Sequence, residues 1–434
     1  MKDEKELKTE LTEKDETAST NETSSGVIES VIERSDEQRN AIASDVNDME
    51  NDSVPLTDPT AQKPSGKKRV AKIVFTVLFI VAMVAIIAYT AVHDFTGENV
   101  SNDRVLELIG ENWYYLFVLL GLFALTILIE TVKIFLMIRK TTRTYQFGTA
   151  FKCASLGKFY DYVTPLGSGG QPFQMYYLAK HGVPTGPAGA IPIGTLFLTQ
   201  FSFFICAIVS FIVGVPTEIV PTSIRIVAYF GAVFYIIVPL FLVTFSFIPK
   251  AGHKVIAWGV KVCAKLRICK KPEEWIAKGN RAIDNNRKNM AILVKSKRVL
   301  IVGTLLSFVL VIAQCSMPFF SLLLISDVST LLESGVFMSQ TPVELWFEVT
   351  RIAFFIYCAI TFIPTPGNSG AADGTFYGLF RSVLATVVGA SFTCMMVWRV
   401  LSFYMYLLLG VIVLLSIKVT ERINKRKNPL GNIG

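Results

Sequence analysis

The sequence predicts an all-α polytopic membrane protein: about eight transmembrane helices, with two segments broken by Gly and Pro that have the character of re-entrant loops. Three observations predict it. Hydrophobic side chains make up 52% of 434 residues and mean hydropathy is +0.48, too apolar for a soluble chain of this length. The apolar residues gather into runs able to cross roughly 30 Å of hydrocarbon. Lys and Arg collect beside alternate ends of those runs, as cytoplasmic loops require.

Charge divides the chain. Residues 1–62 carry 17 acidic and 6 basic side chains, whereas the remainder carries 17 and 36. Residues 1–66 are rich in Glu, Asp, Ser, Thr and Asn with little apolar periodicity, so they are expected to form a disordered acidic cytoplasmic tail. No apolar run follows the first residues, which argues against a signal peptide. Such a tail either keeps the chain solvated or docks a partner. Residues 67–418 are expected to form the transmembrane domain, and 419–434 a short basic cytoplasmic tail.

In order, Lys67, Lys68, Arg69 and Lys72 precede a first span, Ile73–Val92, and place the N-terminus in the cytoplasm. The loop 93–112 is acidic, and Trp113, Tyr114 and Tyr115 make an interfacial belt. A second span, Tyr115–Ile138, ends in Arg139, Lys140 and Arg143. Its Glu130 and Lys133, at i and i+3, read as a self-neutralising pair near the interface with Lys133 snorkelling. Beyond the first broken segment come spans at Ala188–Gly214 and Ile224–Ile248, separated by a turn with Pro216 and Pro221. Gln200 is expected to bond a neighbouring helix.

Residues 249–298 hold 14 Lys or Arg against three acids. Val255, Ile256, Val260, Cys263 and Leu266 interleave with Lys254, Lys261 and Lys265. That pattern fits either a basic amphipathic helix on anionic lipid of the inner leaflet or positive-inside bias alone. Base-stacking aromatics are scarce there, so no nucleic-acid partner is expected. Spans at Val299–Ile325 and Leu345–Ile363 follow, joined by a loop with Asp327, Glu333 and Glu344 but no Lys or Arg, hence outside. Glu348 and Arg351 repeat the acid–base spacing of Glu130 and Lys133. The last apolar stretch, Val383–Ile417, carries Arg399 near its middle. Six spans already return the chain to the inside. Residues 364–417 must therefore add an even number of crossings, as two short helices or as a re-entrant loop with its compensation.

Two stretches cannot be continuous helices. In Gly157–Lys180, Pro165 and Pro172 remove backbone donors, Gly167, Gly169 and Gly170 loosen the chain, and Lys158, Asp161, Gln171 and Gln174 are costly in hydrocarbon. Phe362–Asp373, with Pro364, Pro366, Gly367 and Gly370, has the same character. Thr164-Pro165 with Gly167 and Gly170 echoes Thr365-Pro366 with Gly367 and Gly370. Such backbone persists at membrane depth only when buried in protein or lining a cavity. Paired broken segments in two halves of a chain point to a transporter site built from repeats.

The pattern Gly157-x-Phe159…Thr164-Pro165-x-Gly167-x-Gly169-Gly170…Leu178-x-Lys180-x-Gly182, then Pro364-x-Pro366-Gly367-x-x-Gly370-x-x-Asp373, then Arg399…Tyr404…Gly410, resembles the lysylphosphatidylglycerol synthase membrane-domain family, also described as a flippase-like domain. The resemblance covers roughly residues 70–418. In that family the second motif usually ends in Glu, where this chain has Asp373. Its bifunctional members carry a large soluble synthase domain after the membrane part. This sequence ends at Gly434, shortly after its last span, so the resemblance implies the lipid-handling half, with any synthase a separate partner. It also implies a multi-pass protein of the bacterial cytoplasmic membrane.

No P-loop, G-x-S-x-G elbow, H-E-x-x-H or dinucleotide fingerprint occurs. No cofactor or metal is expected, because the seven Cys and three His show no ligand spacing. The favoured reading is a protein that binds and translocates phospholipid or lipid-linked headgroups. The two broken segments would meet near the midplane and turn backbone N–H groups toward the headgroup. Lys158 and Arg399 would meet its phosphate, and Asp161 and Asp373 an amine or a proton. Thr164, Pro165, Gln171, Pro364 and Pro366 complete the set. The packing alternative makes the motifs helix kinks whose charges pair with one another. Two other classes stay open: a phosphatidylglycerol lysyltransferase acting from tRNA, and a scaffold or regulator using the acidic tail and basic loop.

The positive-inside pattern yields a topology test. A thiol placed at Asn102 or Ser334 should react with an impermeant maleimide added outside intact cells, and one at Ser65 or Asn428 should not. Labelling at either of the latter two sites reverses the predicted orientation.

Overall fold

A computed structural model describes residues 102–215, 219–247, 293–363, 365–381, 384 and 390–427, with scattered residues between 253 and 291. The tail 1–66, the span Ile73–Val92, most of loop 249–298, Pro364 and the last residues 428–434 lie outside the described residues. The described residues are helical and contain no strand.

Helix α1 (Asn102–Glu111) leads to α2 (Tyr114–Thr142), which ends in Arg139 and Lys140. α3 (Phe147–Val163) and α4 (Gly170–Lys180) are joined by a 3-10 turn, Pro165–Gly167. α5 (Thr185–Val213) and α6 (Thr222–Phe247) follow. α7 (Lys297–Leu323) and the short α8 (Val328–Glu333) precede α9 (Pro342–Ile360). A second 3-10 turn, Pro366–Asn368, leads to α10 (Ala371–Phe380). α11 (Ala390–Arg399) runs through a π turn, Val400–Tyr404, into α12 (Met405–Lys427).

Five helical runs are long and apolar enough to cross a membrane: Tyr114–Thr142, Gly186–Val213, Thr222–Phe241, Lys297–Leu323 and Ala390–Thr420. α9 stands where the Leu345–Ile363 span was expected and carries Glu344, Glu348 and Arg351 within its length. Its start has a local cause. Thr341 is extended, its hydroxyl accepts the Glu344 N–H at 3.3 Å, and Pro342 occupies the first helical position. Glu348 does not pair with Arg351. Its carboxylate accepts the N–H groups of Met338 and Ser339 and the Ser339 hydroxyl, closing the loop before α9.

Residues 390–417 form one helix, where the sequence allowed two short ones. Arg399 sits inside it without a break because Asp373 of α10 pairs with it there. The crossing parity is met by direction instead. α7 starts at Lys297, and Trp346 near the start of α9 donates its indole N–H to Ser316 late in α7, at 2.9 Å. α9 therefore starts at the end opposite the basic one and runs inward. Eight residues join Arg381 to Ala390, and Ala390 starts the helix that runs through Lys418 to Lys427 at the basic end. α10 must therefore return toward the end from which α9 came.

The first broken pair has the opposite sense. Asp161 meets Gly170, Tyr160 stacks on Phe173, and Gln174 reaches the Cys153 carbonyl, so α3 and α4 are antiparallel and enter from the basic end. Tyr115, at the start of α2, contacts Phe320, near the end of α7, so those two spans are antiparallel as well. The order α2, broken pair α3–α4, α5 is thus repeated upside down as α7, broken pair α9–α10, α11–α12. The two halves form an inverted repeat.

Close helix approach uses glycine, as expected where no hydrophobic force separates helix from lipid. A methyl built on Gly231 of α6 would collide with the Cys358 carbonyl of α9, whereas one on Gly121 of α2 meets nothing within 4 Å. Gly231→Ala should therefore destabilise the protein by roughly 1–3 kcal/mol through overpacking, while Gly121→Ala should be neutral or slightly stabilising. Thermal unfolding of the two variants in detergent checks this. Equal Tm values would mean that α6 and α9 do not pack as described.

Candidate functional site

The two turns share one backbone conformation. Thr164 is extended (φ −108°, ψ 147°), Pro165 follows, and Leu166 and Gly167 are both left-handed at φ 56° and 60°. Thr365 is extended (φ −101°, ψ 149°), Pro366 follows, and Gly367 and Asn368 are left-handed at φ 58° and 52°. The hydrogen bonds match too: Gly167 N–H to the Thr164 carbonyl at 3.3 Å, and Asn368 N–H to the Thr365 carbonyl at 3.1 Å. The echo read from the sequence is therefore displaced. Leu166 corresponds to Gly367, Gly167 to Asn368, and Gly169 to Gly370. A left-handed Leu costs roughly 1–2 kcal/mol, which the surrounding turn has to absorb.

The turns pack against each other. Their N–H groups are taken up locally. Gly169 N–H donates to Thr164 Oγ1 at 2.9 Å and Gly170 N–H to Asp161 Oδ1 at 2.9 Å. Gly370 N–H donates to Asp373 Oδ2 at 2.7 Å. These three backbone donors, expected to face a ligand, are capped by side chains instead. A methyl on Gly170 would fall on the Asp161 carboxylate, and one on Gly169 on Thr164, so alanine at either position disrupts a cap.

Beside the paired turns lies a cavity of about 480 Å³. Among the predicted residues, Lys158, Asp161, Gly167, Gln171, Gly367 and Arg399 line it. Thr164, Pro165, Gly169, Gly170, Pro366, Gly370 and Asp373 do not line it, and Pro364 lies outside the described residues. The wall also contains side chains that the sequence did not single out as a site, including Glu130, Tyr162, Gln174, Thr199, Tyr357 and Trp398. Gln200, expected to bond a neighbouring helix, faces the cavity.

The charges fall into two groups. Arg399 pairs through Nε with the Asp373 carboxylate, and its Nη2 reaches Ser369 Oγ at 3.1 Å and Asp373 Oδ2 at 3.5 Å. Its Nη1 reaches the Gly367 carbonyl at 3.5 Å. Both side chains are almost wholly buried, so this pair matches the packing alternative for these two residues. In the second group, Glu130 lies 3.3 Å from Lys133 and 4.0 Å from Lys158. Lys133 also donates to Thr199 Oγ1 at 2.5 Å. The expectation of an interfacial, snorkelling Lys133 is corrected. Its side chain is fully buried, and Glu130 sits past the middle of a 29-residue helix. Lys158 is the more accessible cation, with 27% of its side chain exposed.

The cysteines 153, 206, 315, 358 and 394 are free, and all but the half-buried Cys206 are buried, as small apolar residues are.

The family described as "Lysylphosphatidylglycerol synthase TM region" matches residues 70–410. The chain belongs to that family, which makes it a membrane protein tied to lipid handling. No curated protein and no solved structure matches the chain.

The Asp373–Arg399 pair gives a direct test. Arg399→Gln leaves Asp373 buried without its counter-charge and should cost roughly 3–5 kcal/mol, and Asp373→Asn a similar amount. The double variant, leaving neither charge, should recover most of the loss. Detergent melting curves decide the matter, and additive losses in the double variant would show that the two residues are not a coupled pair.

Proposed function

We propose that this protein binds a phospholipid or lipid-linked headgroup in the cavity beside the two turns and moves it from one leaflet to the other. One observation carries the reading. Two broken hairpins of opposite sense bring their tips together, and a cavity lined by both charged and apolar side chains opens beside the contact. Inverted repeats whose broken segments meet are the arrangement by which transporters expose one site to alternate sides. Membership of a lipid-handling family supports a lipid as the cargo.

The geometry sorts the predicted roles. Arg399 and Asp373 neutralise each other and hold the second turn, so their part is to position it. Lys158 is exposed to the cavity and held only at 4.0 Å by Glu130, which leaves it able to meet a phosphate. Asp161 lies one helical turn further on the same cavity face, where it can meet an amine. A zwitterionic headgroup would add no net charge to this wall. The basic stretch 249–298 is proposed to hold the domain on anionic lipid of the inner leaflet.

Lys158→Met removes the accessible cation without stranding a deeply buried partner, since Glu130 keeps Lys133. In proteoliposomes holding the full chain, this variant should move tail-labelled phospholipid at least about tenfold more slowly, a loss of about 1.4 kcal/mol or more in the rate-limiting step. Its Tm should change little. Full-rate transport by Lys158→Met, or no transport by the wild type for any lipid tried, overturns the proposal.

A further inference from the structure

The charged side chains in and around the cavity balance one another. Among the described residues, the carboxylates Glu130, Asp161 and Asp373 stand against the cations Lys133, Lys158 and Arg399. Two of these carboxylates are paired. Asp373 is closed by Arg399, and Glu130 has Lys133 at 3.3 Å and Lys158 at 4.0 Å. Asp161 makes no ion pair within 4 Å among the described residues. Its Oδ1 accepts the Gly170 N–H at 2.9 Å. The residue is partly exposed, and its Oδ2, which accepts nothing among the described residues, is not sealed from the cavity.

Few charges face this carboxylate. From α2 it meets the field of Glu130, itself paired with Lys133. Its own helix contributes Lys158, one turn earlier, and Tyr162. Tyr406 of α12 acts on that same lysine and tyrosine. Arg399 of α11 acts on Tyr162 and is already matched by Asp373. α4 lends the cavity only the uncharged Gln171 and Gln174, and its Lys180 and His181 lie at the end away from Gly170. Only Lys158 and Glu130 therefore act on Asp161 as full charges.

A phosphate drawn to Lys158 adds a negative charge to this balance. Helix positions i and i+3 lie about 5–6 Å apart at Cβ, so the phosphate also arrives beside Asp161. At an effective dielectric of about 20, two like charges some 6 Å apart weaken binding about a hundredfold. An amine on the headgroup offsets that repulsion. A headgroup without one needs another cation, and a proton needs only a single oxygen to hold it. On Glu130 or Asp373 the proton would break an ion pair. On Asp161 it breaks none. Oδ1 still accepts the Gly170 N–H, and the new O–H at Oδ2 is a donor for a phosphate oxygen.

We infer that Asp161 is the proton site of this cavity, and that a phosphate headgroup without an amine binds together with one proton. The proton is taken from water on the side that the cavity faces, bonds to Oδ2, and is released with the headgroup on the other side. Movement of such a lipid is thereby electroneutral and coupled to the proton gradient, whereas an amine-bearing lipid moves uncoupled. The inference rests on the lipid-headgroup reading above and adds its coupling ion. By linkage, the proton tightens phosphate binding by the same factor as phosphate tightens the proton.

The test is equilibrium binding of tail-labelled phosphatidylglycerol and phosphatidylethanolamine to the detergent-purified full chain, from mild acid to mild alkali. Phosphatidylglycerol should weaken about a hundredfold in all as pH rises, by no more than tenfold per pH unit, and phosphatidylethanolamine should stay level. In weak buffer the wild type should take up a proton with phosphatidylglycerol, approaching one for each lipid bound, and none with phosphatidylethanolamine. Asp161→Asn keeps an oxygen for the Gly170 N–H but cannot titrate. It should bind phosphatidylglycerol with an affinity that no longer varies with pH, and without uptake. If that variant does not fold, uptake by the wild type decides the matter alone. Phosphatidylglycerol binding that ignores pH, equal uptake with both lipids, uptake that persists in Asp161→Asn, or binding of phosphatidylethanolamine alone overturns this inference and leaves the lipid site standing. Binding of neither lipid at any pH overturns both.

Discussion

A broken backbone inside a membrane has no water to complete its hydrogen bonds, so each break has to carry its own acceptors. Here they are side chains. Thr164 and Asp161 take the N–H groups that open α4, and Asp373 takes the one that opens α10. That requirement places carboxylates deep in the bundle, and each carboxylate in turn needs a counter-charge in low dielectric. Arg399 answers Asp373 directly. Asp161, which is only partly buried, makes no ion pair within 4 Å among the described residues, and Lys158, one turn before it, approaches Glu130 instead. The chain of dependence runs from a missing helix turn to a cap, from the cap to a cation, and from the cation to the next helix.

The two halves meet the same requirement differently, and the difference makes the site polar on one side and neutral on the other. In the second half the cation, Arg399, stands in the wall and closes on Asp373, which does not line the cavity. In the first half the cap residue Asp161, and Lys158 with its partner Glu130, all line the cavity. The backbone is nearly identical at the two turns, so the asymmetry belongs to the side chains.

Much of this was legible in the sequence. Proline and glycine within apolar stretches marked both turns, since nothing else in a membrane helix calls for them together. Six of the residues proposed for the site line the cavity: Lys158, Asp161, Gly167, Gln171, Gly367 and Arg399. The misreadings have physical causes. Glu130 and Lys133 were counted from the basic end of their span, whereas α2 is 29 residues long and holds them far deeper. Their link to Lys158 joins two helices, and no spacing in sequence announces it. The glycines of the two motifs were matched by identity, but the left-handed positions fall on Leu166 and Asn368 as well as on Gly167 and Gly367. Residue type reports the conformations a position tolerates, and only the backbone reports the one it adopts.

The helix count shows the same limit from another side. Hydropathy counts apolar runs, and charge bias assigns each loop a side, so a run that enters and returns disturbs both. α9 is long enough to be counted as a crossing, with 19 residues, yet α10 carries the chain back toward the same end. The single helix from Ala390 to Thr420 then makes the return to the basic end in one pass. That pass includes a buried arginine, which hydropathy alone would place at a break. It survives because Asp373, held at the start of the helix that returns toward the far side, arrives beside it. The last helix thus depends on an ion pair between two elements whose order in the chain gives no hint of their meeting.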